Sequence, residues 1–245
     1  MIRGLGYLPD PPDERDQDLD ALLGSALASS PPPVSGDVSD PRVGPKDQDL
    51  TNSCPGQGAA LGIRLAYLAA GLECPDLSAL DAYYKSRAEW GGQRLDQGSY
   101  CRSTIKAIQH AGIADESSWP FNPANVNLRP SWAAARSAFD RRGVRGYYRL
   151  YSADDVRRAI AARHPVYGGW DVDRAFMEYD GTGVIDVPTG EILGGHAFVI
   201  QRYFADGTFE KLGSWGLGWG RDGRALLTER MVEAGRDKWA IVVNS

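Results

Sequence analysis

Helical and strand patterns are segregated along this chain, and the texture changes at Val144. Before that point Ala59, Ala60, Ile63, Ala66 and Leu68 recur at helical spacing. Pro55 stands where a first helical residue belongs and Gly71 where a helix closes. The same reasoning predicts helices over 79–89 and 99–110, the second stopping at Gly112. After Val144 come short β-branched or aromatic runs broken by Gly and Pro, at 146–150, 166–170, 197–203, 210–214, 224–227 and 239–243. One further helix is expected at 154–163, ended by Pro165. Helices kept apart from strands predict an α+β fold of two subdomains rather than a doubly wound sheet. The expected divisions are an N-terminal arm and linker (1–46), a mainly helical subdomain (47–143) and a mainly β subdomain (144–245). The arm is Pro-rich and acidic, with Leu19, Leu22, Leu23 and Leu27 on one helical face. It could pack along the body or be mobile.

With 245 residues, 42% of them hydrophobic, the chain can bury a core without disulfide or metal staples. Its 27 basic and 32 acidic residues are scattered, which argues against a nucleic-acid partner. Its apolar runs fall far short of the roughly 20 residues that span a bilayer, so no membrane partner is expected. Pro9, Asp10, Pro11 and Pro12 leave no room for a signal peptide's apolar stretch, and a cytoplasmic or assembly-associated location is expected. The three cysteines lack metal-ligand spacing and form no disulfide framework, so neither a metal nor another cofactor is expected.

A lone cysteine is ordinarily an inert small hydrophobe. Cys54 differs from Cys74 and Cys101 because it opens a strong helix, where unpaired amides and the dipole favour thiolate and are expected to lower its pKa. A cysteine nucleophile needs an imidazole to hold the ion pair and later protonate a leaving amine. Among His110, His164 and His196, the last is best placed, at the start of a buried-looking strand after Gly194 and Gly195. His110 reads as a surface residue in the last turn of a helix, and His164 as loop punctuation before Pro165. Helix-start amides at Cys54 can donate to an oxyanion, and Gln48 can supply a second donor, although a glutamine between Asp47 and Asp49 is by itself most often just solvated.

Asp47-Gln48-Asp49-Leu50-Thr51-Asn52-Ser53-Cys54, then Gly195-His196-Ala197, then Gly213-Ser214-Trp215-Gly216-Leu217-Gly218-Trp219-Gly220 resembles the papain-like (C1) cysteine peptidases in order and spacing. Asp96-Gln97-Gly98-Ser99-Tyr100 looks like that family's glycine-containing cleft segment, and Gly6-Tyr7-Leu8-Pro9-Asp10 like the opening of prokaryotic members without a long prosegment. The resemblance covers nearly the whole chain. It implies a papain-like fold, with a helical left subdomain, an antiparallel sheet or barrel on the right and a cleft between. It implies Cys54 as nucleophile, His196 as acid/base, Gln48 with the Cys54 amide as oxyanion hole, and Gly98, Ser99, Gly195 and Trp215 lining the substrate site. The partner would be a peptide or protein substrate.

The chain departs from the family pattern at one telling position. The tryptophan motif normally begins with an asparagine that accepts a hydrogen bond from the imidazole, and here Gly213 stands there. Thr51 replaces a cysteine that is disulfide-bonded in secreted members, and Pro55 replaces a residue that is commonly aromatic or small. Two function classes follow. One is thiol-dependent hydrolysis of peptide bonds. The other is a catalytically weak or inactive papain fold kept as a binding or structural module, for example in a phage or another large assembly with partner proteins. A cell-wall peptide hydrolase of another Cys/His family shares the order of Cys and His but predicts neither Gln48 at this interval nor the Ser214-Trp215-Gly216 turn.

Overall fold

The computed structural model describes residues 3–24, 30–141 and 143–244. In chain order the elements are β1 (Tyr7–Leu8), α1 (Leu19–Leu23), β2 (Gly36–Asp37), α2 (Cys54–Ala69), α3 (Ala79–Ala88), β3 (Ser99–Tyr100), α4 (Cys101–Ala111), α5 (Trp132–Asp140), β4 (Val144–Arg149), α6 (Ala153–Ala161), β5 (Val166–Val172), α7 (Arg174–Met177), β6 (Gly194–Tyr203), β7 (Phe209–Leu212), β8 (Arg224–Leu227), α8 (Glu229–Glu233) and β9 (Asp237–Val243). One antiparallel sheet runs β4-β9-β5-β6-β7-β8, with β2 added to the end of β6. The path ends at β4 and β8, so the sheet stays open and of the two expected forms, sheet or barrel, it is the sheet.

Helix α2 forms because its apolar residues go all the way round, the pattern of a helix with no wet face. All but Arg64 and Ala69 are buried. Three glycines inside it would each cost about 1 kcal/mol relative to alanine. They are kept because they let neighbours close in. A Cβ at Gly56 would lie 2.4 Å from the Ala79 carbonyl of α3, one at Gly58 2.8 Å from the Tyr167 ring of β5, and one at Gly62 2.8 Å from Ile241 of β9. The helix is therefore wedged between α3 and the sheet, joining Ala197, Val199, Tyr167 and Ile241 in one core. Alternation along β6 sends Phe198 and Ile200 to the opposite face, into a second core with Trp170, Phe176, Trp215 and Trp219. Each fully buried Leu, Ile or Phe contributes roughly 1.5–3 kcal/mol.

One expected helix starts differently, and one helix forms that was not expected. Residues 99 and 100 do not open α4 but pair as β3 with β1 of the arm, in parallel. Helix α5 has no single apolar stripe, since Trp132 and Phe139 are exposed and only Ala134 and Ala138 are buried, so periodicity gave no sign of it. The 154–163 helix forms as α6, started by a capping box between Ser152 and Asp155. In α1, Leu19 is buried, while Leu27 lies outside the described residues.

Residues 3–17 of the arm are strapped to the body. Tyr7 inserts its ring where β5 and β6 carry glycines, since a Cβ at Gly169 or Gly195 would collide with it. The Tyr7 hydroxyl donates to Asp237 Oδ2, which also accepts from the Asp10 amide at 2.8 Å. The Asp10 carboxylate accepts from the Arg102 amide and from Trp239 Nε1 at 3.0 Å. Arg102 pairs with Asp16 at 2.7 Å, and Arg149 bridges Asp16 and Asp237. Burial, then the neighbouring Asp237 charge, raises the Asp10 carboxyl to about 7, against the lowering effect of the Arg102 amide, Trp239 and the Arg102 charge.

Gly56→Ala is expected to lower stability by about 1–3 kcal/mol through overpacking against a backbone carbonyl, while Gly218→Ala, with open space around it, stays within about 0.5 kcal/mol; urea unfolding of the two variants checks this. A docked Asp10 that holds its proton to higher pH than a free one favours the docked arm at low pH. Docking should therefore weaken as pH climbs from about 4 through about 7. Limited proteolysis of the arm across that range should show this rise, and Asp10→Asn should flatten it.

Candidate active site

Around the groove between α2 and the start of β6 stand Gln48, Cys54, Gly98, Ser99, Gly195, His196 and Trp215. Segment 46–48 is zipped to the loop after β7: Lys46 N donates to Gly213 O at 3.2 Å, Gln48 N to Ser214 O at 2.9 Å and Gly216 N to Lys46 O at 2.9 Å. Gly216 takes a φ of +73°, and a Cβ there would strike the Asp47 carboxylate. This pairing fixes Gln48, which is fully buried. Its Oε1 accepts from Ser214 Oγ at 2.7 Å, so its Nε2 is the donor, to Thr51 O at 2.7 Å and to Gly4 O of the arm at 3.0 Å. Gln48 thus aims an amide donor into the groove, where a carbonyl of the arm accepts from it.

Gly98 and Ser99 also meet the arm. Ser99 N donates to Gly6 O at 2.8 Å, and Gly98, at a φ of +86°, lies so close that a Cβ would be 2.3 Å from the same oxygen. Gly195 bridges Gly6 from the other wall, and the Leu5 amide donates to Asn52 Oδ1 at 3.1 Å. Residues 4–8 therefore run as an extended strand held by backbone hydrogen bonds on both sides of the groove.

Cys54 is the first residue of α2, with Ser53 as its cap, and it is fully buried under this strand. Sequence reasoning expects a helix-start thiol with a lowered pKa, and here the balance is reversed. Burial pushes the thiol up to about 12, although the backbone amides of Ala197, Gly6 and Tyr7 all face the sulfur and pull the other way. Desolvation of the thiolate outweighs the dipoles because the arm excludes water. From the arm, the N–H groups of Gly6 and Tyr7 are turned toward the sulfur.

His196 is also wholly buried, its ring stacked on Trp215 at 4.2 Å between centroids. Among the described residues neither ring nitrogen has a hydrogen-bond partner. Burial holds the imidazole well below its usual pKa, helped by the charges of Lys211 and Arg3. Of the other histidines, His110 is exposed in the last turn of α4, and His164, half-buried after α6, is lowered by burial.

Sequence reasoning missed Lys211. It is fully buried on β7, and its Nζ has no hydrogen-bond partner among the described residues. The Nζ lies 3.6 Å from the centre of the Trp219 ring and between 5.3 and 5.7 Å from those of Phe198, Phe176 and Trp215. A Cβ at Gly213 would stand 2.7 Å from this Nζ and 3.8 Å from His196 Nε2. A lysine in a strand pattern reads as a solvated edge residue. The available signal is the i, i+2 spacing of Lys211 and Gly213 within the expected strand 210–214, by which a missing side chain at 213 leaves room for the one at 211.

No family model matches the chain. Among curated proteins it is 27% identical, over 91% of its length and 80% of the other's, to an uncharacterized peptidase C1-like protein of Acanthamoeba polyphaga mimivirus. Among solved structures it superposes on xylellain, a cysteine protease from Xylella fastidiosa, with a TM-score of 0.87 at 22% identity, covering 99% of this chain and 97% of that one. Procathepsin B of Trypanosoma congolense follows it with a TM-score of 0.81 at 18% identity, over 99% and 87% of the two chains. The open antiparallel sheet packed on α2 and these superpositions give the chain a papain-like fold, and in sequence it is similar to a peptidase C1-like protein.

Proposed function

We propose that the chain is a thiol-dependent peptidase whose own N-terminal arm covers its site. Cys54 is the nucleophile and His196 the acid/base. Gln48 Nε2 with the Cys54 amide forms the oxyanion hole, and Gly98, Ser99 and Gly195 hold substrate backbone. Trp215 supports the imidazole. In the reaction His196 takes the thiol proton, the thiolate attacks a peptide carbonyl carbon, and the oxyanion is met by Gln48 and the helix-start amide. The imidazolium then protonates the leaving amine, and water resolves the acyl enzyme, returning the thiol.

One observation carries this reading: an extended peptide already lies in the groove, with its Gly4 carbonyl on Gln48 Nε2 and its Gly6 carbonyl on Ser99 N. The groove recognises peptide backbone through the very donors that hydrolysis needs. The N–H groups of Gly6 and Tyr7 face the sulfur. The arm also seals Cys54 and His196 from water, which keeps both neutral. Among the described residues no helix is long and apolar enough to cross a membrane.

Gly4 and Gly6 permit this fit, since a Cβ at either would fall within 2 Å of the Thr51 or Asn52 carbonyl. The Gly4→Ala/Gly6→Ala chain should therefore release the strand and raise iodoacetamide labelling of Cys54 at pH 5–6 by about tenfold or more, with Cys74 as internal control. Turnover of an unstructured protein substrate should rise with it and vanish on Cys54→Ala. Hydrolysis that survives Cys54→Ala would sink the assignment. A released but inert Cys54 would favour a papain-fold binding module instead.

A further inference from the structure

The Gly213 departure leaves an imidazole with no side chain to orient it, yet the space is not empty. We propose that Lys211 is the positioning residue of this site, its Nζ lone pair accepting the proton of His196 Nε2 from the place that a side chain at 213 would otherwise fill. This inference rests on the peptidase reading for its catalytic meaning, but the contact itself can be tested without turnover.

Three observations converge. The point where a residue-213 Cβ would stand is flanked by Lys211 Nζ at 2.7 Å and His196 Nε2 at 3.8 Å. Both nitrogens are buried, and neither has a hydrogen-bond partner among the described residues. Buried polar atoms are nearly always paired, so two orphans facing one space are each other's natural partner after a small rotation in the lysine stem. With the amine where it stands, a Cβ at 213 would crowd it at 2.7 Å, so glycine at 213 leaves this place to the lysine.

To accept, the amine must be neutral. The charged group acting on Lys211 is Arg3 of the arm, and those acting on His196 are Lys211 and Arg3; no carboxylate figures among those influences. Burial without an acid partner drives Lys211 well below the usual lysine range. The rings of Trp219, Trp215, Phe176 and Phe198 that surround it offer hydrocarbon packing for the stem and no anion. A neutral amine whose lone pair receives Nε2–H fixes the ring tautomer, leaving Nδ1 as the basic nitrogen for the thiol. It also stabilises the imidazolium once formed, which an unpaired ring cannot achieve in a dry site. Loss of Arg3 from the groove when the arm lifts removes one cation that opposes this state.

The test is ¹⁵N NMR of the imidazoles in the full-length chain, with His110 and His164 as controls. In the unsubstituted protein neutral His196 should carry its proton on Nε2. In Lys211→Met that preference should be lost, and Lys211→Met/Gly213→Asn should restore it, because removing the amine makes room for an amide at 213. Lys211→Gln, which keeps an acceptor, should retain Nε2–H and guards against a folding defect in the methionine variant. In the Gly4→Ala/Gly6→Ala background, Lys211→Met should slow Cys54 labelling at pH 5–6 about tenfold or more, and the added Gly213→Asn should recover it. A proton on Nδ1 in the unsubstituted chain, or a folded Lys211→Met chain with unchanged tautomer and labelling, overturns the proposal. Inert Cys54 with the expected tautomers would instead refute the peptidase reading and leave the Lys211 contact standing.

Discussion

Burial of helix α2 on nearly every side is the constraint from which the rest of the molecule follows. Its glycines bring α3 and the sheet so close that Cys54, at its first turn, and Ala197, beside His196, share one core. A helix packed this closely on the sheet holds Cys54 and His196 on opposing walls of the groove. What each wall lends to the site, helix-start amides from one side and a strand-end ring from the other, is a by-product of packing that the core requires anyway.

The electrostatics of the site are set by water, or by its exclusion. With the arm in the groove, burial dominates every dipole: the thiol is raised, the imidazole lowered and the neutral pair preferred. The strap presents backbone carbonyls and amides to the groove, which meets them with the Ser99 amide and the Gln48 and Asn52 side chains. Its anchors lie elsewhere, in the carboxylate cluster of Asp10, Asp16 and Asp237 with Arg102 and Arg149. Separating anchor from plug lets one be tuned without altering the other.

Legibility varied with how local each signal is. Helix α2, the strand runs after Val144 and the capped helix α6 were readable because period and capping residues act over a few neighbours. Residues 99 and 100 look helical by local propensity, which does not register their pairing with the distant strand 7–8. Helix α5 buries too little to leave a stripe. Of the site residues, Cys54, His196, Gln48, Gly98, Ser99, Gly195 and Trp215 do meet around one groove, whereas Lys211 was invisible because nothing in its own neighbourhood predicts burial of a lysine.

By itself the sequence determined the identity and order of the chemical groups and the α+β class, since both depend on residue type and short-range periodicity. The tertiary structure alone decided their state. It placed the arm in the groove, reversed the expected thiol pKa and brought a lysine amine to the space left at Gly213. Charge state in a protein is governed by solvent access and by neighbours distant in sequence, and neither is a local property of the chain.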